Sequence, residues 1–165
     1  EKNRGFLVDV LAASPPDVHL VFVGPHDLQE DTKLRERAAA MGVRNRVHLT
    51  GYRADIINVM RQLDLLLLPS VREGLPGVVI EAQIAGTPVL ANDLLGAGFI
   101  AEHLPGVATM RVQEGPARWA EAIQQMVQEP RVDEHDALQQ FEWSPFTMSS
   151  AVPAWSRLYG ITDQQ

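Results

Sequence analysis

Apolar positions along this chain change period repeatedly, from the spacing of a helix face to that of a buried strand and back. Leu7, Val10 and Leu11 give a helical face, closed by the turn Ser14-Pro15-Pro16-Asp17 and followed by an apolar strand over 18–23. Leu34, Ala38 and Met41 fall at i, i+4 and i+7, with Glu30 and Asp31 in the first turn and Gly42 just past the end. A short strand over 47–49 follows, then a helical face of Ile56, Met60 and Leu63, then a wholly apolar strand over 65–68 predicted to be buried on both faces. The next helix begins at Pro76 and ends at Gly86. Strands are predicted over 87–91 and 107–112, and Trp119, Ile123 and Met126 mark a helix that Pro116 starts and Pro130 stops. Helices alternating with strands predict an α/β fold, a Rossmann-like parallel sheet flanked by helices. Residues 1–130 form the expected sheet domain. Residues 131–165 form a tail, polar to Gln140 and then carrying Phe141, Trp143, Phe146, Trp155, Leu158 and Tyr159, with Pro153 interrupting its helical pattern. The aromatics either pack on their own domain or cover a surface supplied from elsewhere.

In open α/β sheets the ligand lies beyond the carboxyl ends of the strands. Gly24-Pro25, Thr50-Gly51-Tyr52, Pro69-Ser70 and Ala91-Asn92-Asp93 all follow predicted strands. Between the strand over 65–68 and the helix after it runs Glu73-Gly74-Leu75-Pro76-Gly77-Val78-Val79-Ile80-Glu81. Pro76 suits the first helical position, and the amides around it are free to meet a diphosphate. Glu81 lies five residues past Pro76, roughly 7–8 Å along the axis. A ribose and a hexose joined through a diphosphate span a similar distance, so Glu73 and Glu81 can take hydroxyls from the two ends of one ligand. The plainer alternatives are a loop carboxylate paired with Arg72 and a solvated helix glutamate.

The absence of cysteine removes disulfides, thiolate metal sites and cysteine nucleophiles. A net charge of −7 speaks against nucleic acid as a partner but not against a single nucleotide. His19, His26, His48, His103 and His135 have no metal-ligand spacing, and no metal is expected. Asp64 reads as a backbone-bonding residue at a helix-to-strand junction.

The run Leu65-Leu66-Leu67-Leu68-Pro69-Ser70-Val71-Arg72-Glu73-Gly74-Leu75-Pro76, continued by Val78-Val79-Ile80-Glu81-Ala82 and Gly86-Thr87-Pro88-Val89, resembles the donor-binding domain of retaining GT-B glycosyltransferases of family 4, which build lipopolysaccharide, capsule and exopolysaccharide. Lys2-Asn3, Val21-Phe22-Val23-Gly24, Leu49-Thr50-Gly51-Tyr52-Arg53 and Leu63-Asp64-Leu65 resemble the same family in the same order. The resemblance implies a nucleotide-diphosphate sugar as donor substrate, held without a metal cofactor, and transfer to a glycan or lipid-linked acceptor. It further implies that an amino-terminal acceptor domain and the first strand of the present domain lie upstream of Glu1. The full-length enzyme is then expected in the cytoplasm, peripheral at the inner face of the membrane. By the same resemblance, Glu73 is the catalytic candidate orienting the donor sugar, Glu81 holds the ribose, and Lys2 neutralises the diphosphate beside Gly74, Leu75, Pro76, Gly77 and Val78. Gly51, Tyr52 and Arg53 form the loop that reads the nucleobase, and Gly24 opens a second loop, Gly24-Pro25-His26-Asp27, that departs from the family's glycine-aspartate-glycine turn. Lys2 is alternatively a frayed terminal residue, and Tyr52 and Arg53 an ordinary surface turn. Two other functions fit the fold class: a sugar-nucleotide epimerase, and a non-enzymatic doubly wound module that binds a partner protein.

Overall fold

The structure is a computed structural model that describes residues 1–159. The predicted tail therefore extends, over 160–165, outside the described residues. Helix α1 (Arg4–Ala13) buries Leu7, Val8, Val10 and Leu11, and is entered through Asn3 in the left-handed conformation, which asparagine tolerates better than most residues. Strand β1 (Leu20–Phe22) leads to α2 (Leu28–Ala40), whose N-cap Asp27 accepts hydrogen bonds from the amides of Gln29 and Glu30. Arg37 on α2 makes a fork to both oxygens of Asp9 on α1, at 2.7 and 2.6 Å, so the two helices are tied as well as packed. Strand β2 (Val47–Leu49), α3 (Ile56–Gln62) and β3 (Leu66–Leu68) follow, then α4 (Gly77–Ile84) and β4 (Val89–Asn92). The chain continues through α5 (Leu95–Ala101), β5 (Val107–Met110), α6 (Pro116–Met126), α7 (Glu134–Glu142) and α8 (Met148–Tyr159).

All strand pairs are parallel, but the ladders form two pieces among the described residues: β1 pairs with β2, and β4 lies between β3 and β5. Helix α1 joins them through side chains. Its Leu7, Val8 and Leu11 pack with Phe22 and Leu34, and its Val10 packs with Leu90 and Trp119, while Leu67 of β3 touches both groups. Trp119 is fully buried, meets Phe6 edge-on at 5.3 Å, and donates its indole N–H to the Arg111 carbonyl. The third group centres on α4, where Val79 and Ala82 pack with Met60, Leu68, Val89 and Ile100.

Several expectations are corrected here. The strand expected to be buried on both faces, over 65–68, is only half-buried at Leu65, Leu66 and Leu67, because its second edge carries no ladder; β4, flanked on both edges, is the wholly buried strand. Asp64 is exposed and makes no hydrogen bond among the described residues. In the tail, α7 packs against α4 and buries Ala137, and Arg131 donates to the carbonyls of Gly86 and Arg61. Phe146 meets the Phe99 ring edge-on, so this first part of the tail packs on its own domain. Helix α8 buries nothing, leaving Trp155 and Tyr159 stacked on each other and exposed.

Candidate functional site

Because the strands are parallel, their carboxyl ends share one rim, where main-chain bonds hold the loops in register. The amide of Gly24 donates to the Gly51 carbonyl at 3.0 Å, and Thr50 donates to the Phe22 carbonyl at 3.1 Å. Gly51 has φ 73°, a left-handed conformation that favours glycine. Beside β4, the Asn92 side chain donates to the Ser70 carbonyl at 2.8 Å and accepts from the Val112 amide at 3.0 Å. Asn92 thus clamps the ends of β3 and β4 together.

Lys2 is not frayed. The carbonyl of Glu1 accepts from the Val71 amide at 3.0 Å, and Lys2 Nζ reaches Glu73 Oε1 at 2.6 Å, joining residues 71 positions apart. Arg72, the partner suggested for Glu73 by sequence, instead faces Glu1 at 3.5 Å. The Glu73 side chain is 16% exposed, so the pair is partly shielded from water. The Lys2 ammonium holds the Glu73 carboxyl below its ordinary range against the opposing pull of burial; the Ser70 hydroxyl, which meets no partner at hydrogen-bond geometry, adds a lesser pull.

At α4 the expected start moves by one residue. Pro76 is buried as the N-cap, with φ −76° and ψ 98°, and Gly77 is the first helical residue. The extended ψ at Pro76 turns the chain into the helix one position later than the residue type alone suggests. The Val79 amide donates to the Pro76 carbonyl at 3.0 Å, whereas the amides of Gly77 and Val78 donate to nothing among the described residues. These unpaired donors carry the positive end of the helix dipole. Gly74 and Leu75 approach them along a path fixed by α5: a Cβ on Gly96 would lie 1.7 Å from the Gly74 carbonyl oxygen. Gly96 is a supporting residue that sequence reasoning missed, its only signal being a glycine inside an apolar helix.

Glu81 is exposed on α4, and its carboxylate has no partner among the described residues. Tyr52 is 75% exposed, and Arg53 makes a fork to Asp55 at 2.7 and 2.6 Å, which holds the guanidinium at its own loop. The rim therefore brings Lys2, Glu73, Gly74, Leu75, Pro76, Gly77 and Val78 into one group, and Gly24, Gly51, Tyr52 and Arg53 into another. A cation, a carboxylate and free helix amides in the first group can hold an anion and a hydroxylated neighbour together.

Residues 2–129 match the family described as Glycosyl transferases group 1. An Escherichia coli UDP-Gal:alpha-D-GlcNAc-diphosphoundecaprenol alpha-1,3-galactosyltransferase is 36% identical over 88 residues, covering 53% of this chain and 22% of its own length. A Rhodococcus jostii D-inositol 3-phosphate glycosyltransferase is 33% identical over 129 residues, covering 74% of this chain and 28% of its own. Among solved structures, the Anabaena protein HepE in complex with UDP superposes with a TM-score of 0.76 at 24% identity, over 97% of this chain and 46% of that one. The chain spans less than a third of each of these two curated relatives and under half of HepE, and its fold is that of one half of a GT-B glycosyltransferase. With the match running through both groups of rim residues, the chain belongs to the Glycosyl transferases group 1 family.

Proposed function

We propose that this chain is the donor-binding domain of a retaining hexosyltransferase, which holds a nucleotide-diphosphate sugar for transfer to a glycan or lipid-linked acceptor. The observation that carries this reading is the Lys2–Glu73 pair at 2.6 Å beside the free amides of α4. When donor binds, Lys2 leaves Glu73 for the diphosphate, and the freed carboxylate accepts hydroxyls of the sugar. As the glycosidic C–O bond breaks, its electron pair goes to the diphosphate oxygen, and the charge that grows there meets pre-oriented amides and an ammonium. Those groups perform the work a divalent ion does elsewhere. Glu81 takes the ribose hydroxyls, and the backbone of Gly51 and Tyr52 meets the base.

Support from relatives is of two kinds. HepE was solved with UDP, and the Escherichia coli relative is named for a UDP-galactose donor and a diphosphoundecaprenol-linked acceptor. The reading extends to a full-length enzyme in the cytoplasm, peripheral at the inner face of the membrane, with the diphosphoundecaprenol-linked acceptor in the name of the Escherichia coli relative as its support. Among the described residues no helix is long and apolar enough to cross a membrane. Thermal melting with UDP, GDP and ADP tests the reading, since a ligand bound only by the native state raises stability by RT ln(1 + [L]/Kd). At least one of the three is expected to raise the melting temperature in a saturable way. No shift with any of them sinks the proposal.

A further inference from the structure

One residue past β1 the chain reads Gly24-Pro25-His26-Asp27, and α2 starts at Leu28 under the cap made by Asp27. This brings Asp31, in the first turn of α2, back toward the loop. Its carboxylate is buried, with 2% of the residue exposed, and one oxygen lies 2.7 Å from His26 Nδ1. The other oxygen faces Arg4 at 3.6 Å, and the Arg4 guanidinium lies over the Phe22 ring, 5.0 Å from its centre. An ionised carboxylate only accepts, so His26 donates through Nδ1, and the ring is fixed in orientation and in tautomer. The hydrogen bond from His26 holds the Asp31 carboxyl below its ordinary range.

The opposite edge of that ring closes on Gly51. A Cβ at residue 51 would meet His26 Nε2 at 2.7 Å and Cδ2 at 3.1 Å. Gly51 is thereby held by three constraints: its left-handed φ of 73°, the bond from the Gly24 amide to its carbonyl, and the imidazole on its Cα face. The His26 side chain is 54% exposed, so packing alone does not fix it; the bond to buried Asp31 does. We propose that His26, locked by Asp31, is a positioning residue for the nucleobase end of the donor site, seating the Gly51 backbone so that Gly51 and Tyr52 present their main-chain groups to the base in one orientation. This inference rests on the donor-site reading above. It assigns a role to a loop in which the family's small turn is replaced by proline and histidine.

The test is titration calorimetry of the 165-residue chain with whichever of UDP, GDP or ADP it binds, alongside melting of each variant without ligand. His26→Ala should weaken nucleotide binding about tenfold, the equivalent of one well-made hydrogen bond. Asp31→Asn, which keeps the ring but loses charge assistance, should weaken it about threefold. Gly51→Ala should weaken binding in the parent by more than His26→Ala does, to a value still measurable at high nucleotide concentration. In the His26→Ala background the new Cβ no longer meets the ring and only the strain of the left-handed φ of 73° remains, so the same change should cost at least about threefold less; this coupling reads the ring-to-backbone contact directly. Circular dichroism establishes that each variant is folded, and Asp31→Asn carries the test if His26→Ala is not. Failure of the unsubstituted chain to bind any of the three nucleotides overturns the donor-site reading and this inference with it. Nucleotide binding that His26→Ala and Asp31→Asn leave unchanged, even with lowered melting temperatures, overturns the inference alone.

Discussion

Lys2 and Glu73 neutralise each other across 71 positions of sequence, and Glu81, in the second turn of α4, has no partner among the described residues. The two glutamates should therefore respond oppositely to loss of charge. Glu81→Gln removes a charge-assisted acceptor for ribose hydroxyls, and the plain nucleoside diphosphate should bind about 1–3 kcal/mol less well by calorimetry. Glu73→Gln releases Lys2, so the plain diphosphate should bind as well as before or better, while the intact sugar nucleotide binds less well. Equal losses of plain nucleotide in both variants would refute the division of roles. The pair also has a pH signature. Lys2 holds the folded carboxyl below its ordinary value of 4.5, so its stabilisation is fully present above that value and is lost as pH falls through the lower folded pKa. Lys2→Met should accordingly melt below the parent at pH 7, with the difference closing under acid. A difference that stays constant with pH would exclude the pair as a source of stability.

At the level of elements, the loop ahead of α4 depends on α5. Gly96→Ala would drive a Cβ to 1.7 Å from the Gly74 carbonyl oxygen, so backbone must move. We expect a loss of about 1–3 kcal/mol in stability, as for other overpacked sites, together with weaker nucleotide binding. A Gly96→Ala variant that melts and binds like the parent would show that α5 does not fix this loop. Helices with a clear apolar face were legible from sequence: Leu7, Val10 and Leu11 on α1, Leu34 and Ala38 on α2, and Trp119 and Ile123 on α6 are buried as their spacing predicts. Helix α5 was not, because Gly96 and Gly98 obscure its propensity, although Ala97 and Ile100 are buried in the cluster around α4. Helix α7 docks through one buried alanine among the described residues, Ala137, which leaves no periodic apolar stripe to read. The run over 65–68 has the composition of a doubly covered strand, yet burial is set by ladder neighbours, and local composition does not report those. The Glu73 and Glu81 pattern was visible within one stretch of chain. The Lys2 contact and the seating of Gly51 by His26 depend on loops that only the fold brings together, and His26 in particular sits where proline hides the usual turn.

Across the whole molecule, α1 joins two of the three apolar clusters and α4 carries the third. The loops that follow β1, β2 and β3, with the first turn of α4, present Gly24, Gly51, Tyr52, Arg53 and residues 73–78, and the segment before α1 adds Lys2. The curated relatives named as glycosyltransferases are more than twice as long as this chain, so the 165-residue chain is expected to bind nucleotide yet transfer no sugar; turnover by the purified chain would contradict a purely donor-binding role. What matters most is whether the start of α4 and Lys2 hold the diphosphate. Backbone amide chemical shifts followed by NMR during titration with a nucleoside diphosphate address that point directly. Saturable changes are predicted at Gly74, Gly77 and Val78 beside α4, and at Gly51 and Tyr52 where the base is read. Changes confined to the groove beside β2 lined by Arg35, Arg44 and His48, with the amides of Gly77 and Val78 unmoved, would contradict it.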